Sequence, residues 1–373
     1  MSNNKLKNLT ISGYKSIGGE TSIDFRARNV FIGQNGAGKS NLISFFRLLN
    51  WAMPSPGNLQ FHVGRCGGAS TFLFDGPSKT PQIVATLAFE TDQGTNEYHF
   101  RLFHAAGDTL VFADERFRYY KHGGSPGKWF DMGAGHKEPR LIEYAQEGKK
   151  LGYSTARFIH YLLRDLVVHQ FHNTSETARV RTKWPVSDNR LLKEDAANLA
   201  SVLFYLKESE PTYYRRIVES IRQVAPFFAD FELAPEGDSI FLRWRERGSD
   251  VVFGAHQMSD GTLRMIALVT LLLQPEDRLP SLIVLDEPEL GLHPAAVTLV
   301  ATLLKDISER RQVVVATQSP SLIDEFDPED VVVVNRVERE STFERLDPDA
   351  LVDWLSEYRL SDLWDKNVVG GRP

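Results

Sequence analysis

The sequence predicts an α/β fold interrupted by an inserted lobe that is β-rich and then helical, and three stretches carry the prediction. The run GQNGAGKS, Gly33 to Ser40, matches the P-loop pattern G-x-x-x-x-G-K-[ST] at every fixed position. The apolar run Val30, Phe31, Ile32 stands in front of it, and the amphipathic segment Asn41 to Phe46 follows. A second apolar run, Leu282 to Leu285, is continuous, as a buried parallel strand is, and ends in the adjacent carboxylates Asp286 and Glu287. Between the two, from Thr71 to about Phe130, short alternating runs separated by turns rich in Gly, Asp and Asn indicate an antiparallel sheet packed beside the core.

In chain order, Leu6 to Ser12 and Thr21 to Phe25 alternate as strands, joined through Gly13, Gly18 and Gly19. Tyr14, Lys15 and Ser16 lie in that turn, where an aromatic or a long cation can cover a nucleotide base; a solvated turn is the competing reading. The third strand enters the P-loop. A glycine-rich turn at a helix N-terminus aims backbone N–H groups and the positive end of the helix dipole at one point, where a polyphosphate can sit. Lys39 then reaches the β- and γ-phosphates, and the Ser40 hydroxyl ligates Mg²⁺. Pro54, Pro56 and Gly57 end the helix, and Gly64 to Gly68 reads as loop.

The insertion follows with strands at Gln82 to Glu90, Glu97 to His104, Thr109 to Ala113 and Arg116 to Lys121, then a long turn from His122 to Trp129 that should be mobile. Helical patterns cover Ala156 to Leu163, Ala196 to Lys207 and Tyr213 to Val224. Strand character returns at Asp230 to Ala234, Ser239 to Trp244 and Asp250 to Phe253. No internal repeat and no sustained heptad run occurs, which excludes a long coiled-coil arm.

Ser259, Asp260 and Gly261 open a strongly apolar helix, with Ser259 placed as its N-cap. A hydroxyl and free N–H groups there also make a second anion site. At the acidic strand end, Asp286 can hold Mg²⁺ while Glu287 orients or deprotonates an attacking water. Ala350 to Trp364 reads as an amphipathic helix pair that closes the core or docks a partner, followed by a flexible tail, Gly370 to Pro373.

Composition sets outer bounds. A chain of 373 residues exceeds the size at which single cores stop growing, so a composite domain or two lobes is expected. With 42% hydrophobic and 25% charged residues it reads as soluble and globular. Cys66 is the lone cysteine, which suits a reducing cytoplasm and reads as a small buried or loop residue. The N-terminus has no apolar signal region, and the apolar stretch Met265 to Leu273 is too short to span a bilayer, so no membrane association is expected. A net charge of −6 offers nucleic acid no global attraction.

The order of P-loop, long insertion, signature helix, DE pair, ELGLHP segment and the strand Gln312 to Ala316 running into TQSP resembles an ABC-class ATPase head. More narrowly it is similar to the RecF/SMC-like ATPases, especially the stand-alone bacterial AAA-type group without coiled coils, whose ends KLKNLTISGYKSIGG and LSDLWDKNVVGGRP also resemble. The resemblance implies a mixed-sheet head from residues 1–60 and 240–373 with residues 61–239 as the inserted lobe. It implies ATP and Mg²⁺ as cofactors and a composite site shared by two protomers, hence an ATP-dependent homodimer or higher homo-oligomer.

By the same resemblance Gly33, Asn35, Gly36, Gly38, Lys39, Ser40 and Asn41 form the phosphate-binding loop, and Ser259 with Gly261 contacts the γ-phosphate of a partner protomer. Asp286 supports the metal, Glu287 is the catalytic carboxylate, and Glu289 to His293 is the D-loop coupling the two sites. In HQFHNTS, Gln170 is the candidate for metal and water contact, with His172 and Asn173 as alternatives. Two positions depart from the common form. The signature reads SDGT, so Asp260 brings a negative charge that must point away or pair with a cation such as Arg264; it is expected to point away. Gln318 stands where many such heads have histidine, donating without positive charge, which implies slow hydrolysis.

Arg243, Arg245 and Arg247 alternate on a strand, and Arg179, Arg181 and Lys183 do so in a second cluster. DNA contact is one reading of these faces and solvation the other. The expected activity is ATP hydrolysis that closes and opens a dimer to act on DNA or on a separate effector protein, in DNA repair or antiviral defence. The alternative is a nucleotide-gated scaffold that holds a partner, with hydrolysis as a timer.

Overall fold

The computed structural model describes residues 4–147 and 152–371. The chain divides into two compact units, Met1–Val167 with Pro328–Pro373, and Val168–Asp327. Residues 61–239, expected as one inserted lobe, are shared between these units.

In the first unit a six-stranded antiparallel sheet runs in the order Thr21–Asp24, Lys5–Ser12, Gln82–Thr91, Gly94–Ala105, Thr109–Lys121, Phe130–Asp131. The strands expected beside the core therefore extend the N-terminal hairpin, with Leu9 opposite Leu87 and Ile11 opposite Ala85. Both strands carry their apolar residues on alternate positions, so pairing buries Leu9, Ile11, Ile83, Ala85 and Leu87 on one face.

The two runs read as Thr109 to Ala113 and Arg116 to Lys121 are one strand. Asp114 and Glu115 look like turn residues, but they face Arg101 and Phe100 in the ladder, and the irregularity is a bulge at Ala113, with Leu102 facing Phe112. Glu115 is fully buried, accepting from the Tyr98 hydroxyl at 2.8 Å, His136 Nε2 at 2.6 Å and the Arg140 N–H at 2.9 Å. Trp129, at the end of the turn expected to be mobile, stacks under the Arg118 guanidinium at 4.2 Å.

The same unit holds the strand Arg28–Ile32, parallel to Val331–Val337, which is antiparallel to Glu340–Arg345. The helix Lys39–Ala52 leaves the P-loop with Leu42, Phe45, Phe46 and Leu49 buried. Gly64, expected in a loop, belongs to the helix Asn58–Arg65, and Cys66 behind it is exposed. The C-terminal helices Pro348–Leu355 and Leu360–Asp365 carry Trp364 fully into the core. Gly370 and Gly371 are not a free tail: the Trp364 indole donates to the Gly371 carbonyl at 2.6 Å, and the Gly371 N–H donates to Asn335 Oδ1 at 2.6 Å. Arg372 and Pro373 lie outside the described residues.

In the second unit Val168–His169, Leu282–Asp286 and Gln312–Thr317 are parallel, the middle strand buried along its whole length. The helix Asp260–Leu272, apolar on all sides, is buried between neighbours that include Pro211–Val224 and Pro294–Ser308. Phe228–Phe231, Arg243–Glu246 and Val252–Gly254 form a small antiparallel sheet; Arg247 lies beyond its middle strand. No helix among the described residues is long and apolar enough to cross a membrane.

Candidate functional site

The P-loop wraps closely over its own unit. A Cβ on Gly33 would stand 2.3 Å from the Val334 carbonyl oxygen, and one on Gly38 would stand 2.0 Å from Ser341 Oγ. Gly38 also has φ 122°, so both contact and backbone demand glycine there. Beneath the loop, Ser341 Oγ donates to the Ala37 carbonyl at 2.5 Å, and Asn41 Nδ2 donates to Ser16 Oγ at 2.6 Å. Buried Lys39 folds back over the loop, donating to the carbonyls of Gly33 at 2.5 Å and Gln34 at 3.2 Å. Asn35, Gly36 and Ser40 face solvent at the helix start. The result is a glycine cradle holding one ammonium and open N–H groups, which suits a polyphosphate.

Tyr14 does not cover a base. It is fully buried against Phe45 and Phe72, with its hydroxyl 2.9 Å from Ser44 Oγ, because its ring completes the core under the P-loop helix. Lys15 donates to the same Ser44 Oγ at 2.9 Å, and burial lowers its pKa.

In the second unit the acidic pair terminates the buried strand Leu282–Asp286. Gln170 Nε2 donates to Asp286 Oδ2 at 3.1 Å and to His172 Nδ1 at 3.2 Å. His172 Nε2 lies 3.0 Å from the Asp286 carbonyl and 3.3 Å from that of Glu287, so it carries the proton and Nδ1 accepts. Of the three candidates, Gln170 thus meets the Asp286 carboxylate, His172 braces the backbone beneath it, and Asn173 caps a turn by accepting from Ser175. Glu287 adopts φ 44°, a left-handed conformation uncommon for a side-chain-bearing residue, and Gln318 Nε2 donates to its Oε1. Glu289 Oε1 accepts from the Thr317 hydroxyl at 2.5 Å and the Gln318 N–H at 3.4 Å.

Among the described residues no cluster of three His, Cys, Asp or Glu side chains preforms a metal site. In the second unit Asp286, and separately in the first the exposed Ser40 hydroxyl, are each hard oxygen donors of the kind Mg²⁺ prefers.

Ser259 caps the signature helix, its Oγ accepting from the Thr262 N–H at 3.2 Å. Asp260 is paired, but with Arg181 Nη2 at 2.7 Å rather than with Arg264. Arg264 is committed elsewhere, donating to the carbonyls of Phe171, His172 and Leu290 at 3.2, 2.9 and 2.9 Å. It therefore ties the Gln170 segment and the ELGLHP turn to the signature helix. Gly261 packs backbone to backbone on that turn: a Cβ there would stand 2.3 Å from the Gly291 carbonyl oxygen.

Apart from exposed Arg247, the alternating basic residues are engaged within their own unit. Arg243 and Lys183 both pair with Glu236, Arg245 with Glu232 at 2.7 Å, and Arg179 with Asp195 at 3.1 Å. Arg181 is buried under the signature helix. Spacing alone hides such partners, because they sit outside the alternating runs, in the turn at Asp195 and in the connection after Phe228–Phe231. Sequence reasoning also missed Ser341, the support that Ser16 gives beneath the P-loop and the bracing role of Arg264; only contacts distant in sequence reveal them.

The architecture matches solved SMC ATPase heads. The head bound to the C-winged helix domain of ScpA aligns at TM-score 0.60 and 15% identity, covering 93% of this chain and 99% of that one. A Pyrococcus furiosus Smc head with an extended coiled coil and the C-terminal domain of ScpA aligns at 0.60 and 16% over 95% and 99%. A Pyrococcus yayanosii Smc head with coiled coil and joint aligns at 0.54 and 14% over 95% and 99%. No curated protein matches the sequence. Residues 28–324 match the family described as "AAA domain, putative AbiEii toxin, Type IV TA system". The fold is thus that of an ABC/SMC-like ATPase head, as the resemblance implied, and the chain belongs to this AAA family.

Proposed function

We propose that the protein is a Mg²⁺-dependent ATP hydrolase whose ATP-bound form closes a homodimer and thereby controls a separate effector protein. One observation carries the reading: a single buried strand end presents Asp286 held by Gln170 beside Glu287 held by Gln318. Paired carboxylates with different, fixed partners suit one to a cation and the other to a proton. In this scheme Gly33, Asn35, Gly36, Gly38, Lys39 and Asn41 cradle the phosphates. Ser40, Asp286 and Gln170 would hold Mg²⁺, which neutralises phosphate charge when bound. Glu287 takes a proton from water as its oxygen attacks the γ-phosphorus. The bond to the β-phosphate oxygen breaks, leaving ADP and phosphate. Ser259 and the Gly261 N–H meet the γ-phosphate of a partner protomer, so the phosphate clamps two copies until it departs.

The matched family's description names a putative toxin of a toxin–antitoxin system, which favours defence over repair. The solved SMC heads carry a separate protein domain, which favours an effector. The paired arginines and the net charge of −6 weigh against DNA. The neutral Gln318 favours a second reading in which hydrolysis is only a timer on a nucleotide-gated scaffold.

The test combines calorimetry, turnover and native mass. Lys39→Ala should abolish ATP binding, and Glu287→Gln should bind ATP, lose turnover and accumulate a dimer. Undiminished turnover in Glu287→Gln would refute the catalytic assignment, and an ATP-loaded monomer would refute the clamp.

A further inference from the structure

We infer that Arg336 is a second phosphate-binding cation of the nucleotide site. This rests on the nucleotide reading above and adds a residue that no motif identifies. The strand Val331–Val337 runs parallel to the strand Arg28–Ile32, with Val333 level with Ile32. Arg336, three residues beyond Val333, is therefore level with the P-loop at the carboxyl end of the strand, where open α/β folds bind ligands. Its Nη1 donates to the Gly36 carbonyl at 3.0 Å, which holds the guanidinium at the tip of the loop. Gly36 faces solvent, and a Cβ built there would meet only Arg336, at 3.9 Å.

Charge separates this arginine from the others near it. Arg28 pairs with Asp330 and Arg339 with Asp75, while Arg345 spends its donors on the carbonyls of Glu329 and Asp24 and on Asn29 Oδ1. Among the described residues no carboxylate forms an ion pair with Arg336, whose guanidinium donates to the Gly36 carbonyl. The other cation of the loop, Lys39, is buried and directed inward to Gly33 and Gln34. An arginine has five donors, and one carbonyl uses a single one of them. The remaining fork, exposed beside a glycine turn, is matched to a polyphosphate by charge and planarity. The ligand group it recognises is thus the phosphate chain of a nucleoside triphosphate.

Affinities for ATP and for inorganic triphosphate as competitor are measured by calorimetry in wild type, Arg336→Ala, Arg336→Gln, Arg336→Lys and Lys39→Ala, each with a thermal melt. Arg336→Ala should weaken both ligands about tenfold or more, as expected for one charge-assisted contact. Arg336→Gln retains a donor for Gly36 without the charge and should lose as much. Arg336→Lys should recover part of the loss. Unchanged affinities in Arg336→Ala beside lost binding in Lys39→Ala would overturn the Arg336 assignment and leave the nucleotide site standing. Weaker ATP with unchanged triphosphate would overturn the phosphate contact. Full affinity in Arg336→Gln would reduce Arg336 to a brace for the loop. A wild type that binds neither ligand would refute the nucleotide reading itself.

Discussion

Glu289 is a carboxylate whose burial raises its pKa above the usual value, with the Thr317 hydroxyl and the Gln318 N–H pulling the other way. Its Oε2 is buried without a hydrogen-bond partner. The folded state therefore holds this proton more tightly than the unfolded chain does. The resulting cost is absent below the ordinary glutamate pKa of 4.5 and fully present above the raised one. Glu289→Gln keeps an oxygen for Thr317 and removes the buried charge. It should melt higher than wild type at pH 8, with the difference shrinking as pH falls towards 4.5. A pH series of thermal melts checks the sign. Gly261 offers a steric test at the same scale. A methyl there would meet the Gly291 carbonyl at 2.3 Å, so Gly261→Ala must displace the ELGLHP turn from the signature helix. Turnover should fall at least tenfold while ATP affinity, read by calorimetry, stays within about twofold.

Among elements, the signature helix shows why some site features were legible and others not. Its start was readable because an N-cap and an apolar run are local signals. The P-loop was readable for the same reason, its chemistry being spaced within eight residues, Gly33 to Ser40. The support beneath each is not local. Ser341 reaches Ser16 across 325 positions, and Arg181 reaches Asp260 across 79, with nothing in either segment to announce it. The strand Thr109–Lys121 misled for a related reason: the charges of Asp114 and Glu115 looked like a turn until Tyr98 and His136 supplied partners for a buried carboxylate. Arg181 also bonds the carbonyls of Thr174, Ala255 and Met258, so Arg181→Ala leaves buried acceptors unpaired. A loss of about 1–3 kcal/mol is expected by urea unfolding. Arg179→Ala, which removes an exposed pair with Asp195, should cost under about 1 kcal/mol.

For the whole molecule, the choice between DNA and a protein effector is a question of unbalanced charge. Binding to duplex DNA draws on arginines and lysines that release counterions from phosphates, and its logarithmic salt slope grows by about 0.9 for each phosphate neutralised. Here 49 acidic residues exceed 43 basic ones, and Arg243, Arg245, Arg179 and Lys183 already face carboxylates of their own unit. Each would have to abandon an acid to meet a phosphate, so these four offer DNA little net charge. Duplex binding measured by fluorescence anisotropy should be weak at physiological salt, with a slope no steeper than about −2 whether or not ATP is present. Reversing Arg243 and Arg245 to glutamate should instead lower the melting temperature, because Glu236 and Glu232 then face like charges. A slope of about −5 or steeper that the same reversal flattens would restore the DNA reading, since it would show Arg243 and Arg245 neutralising phosphates.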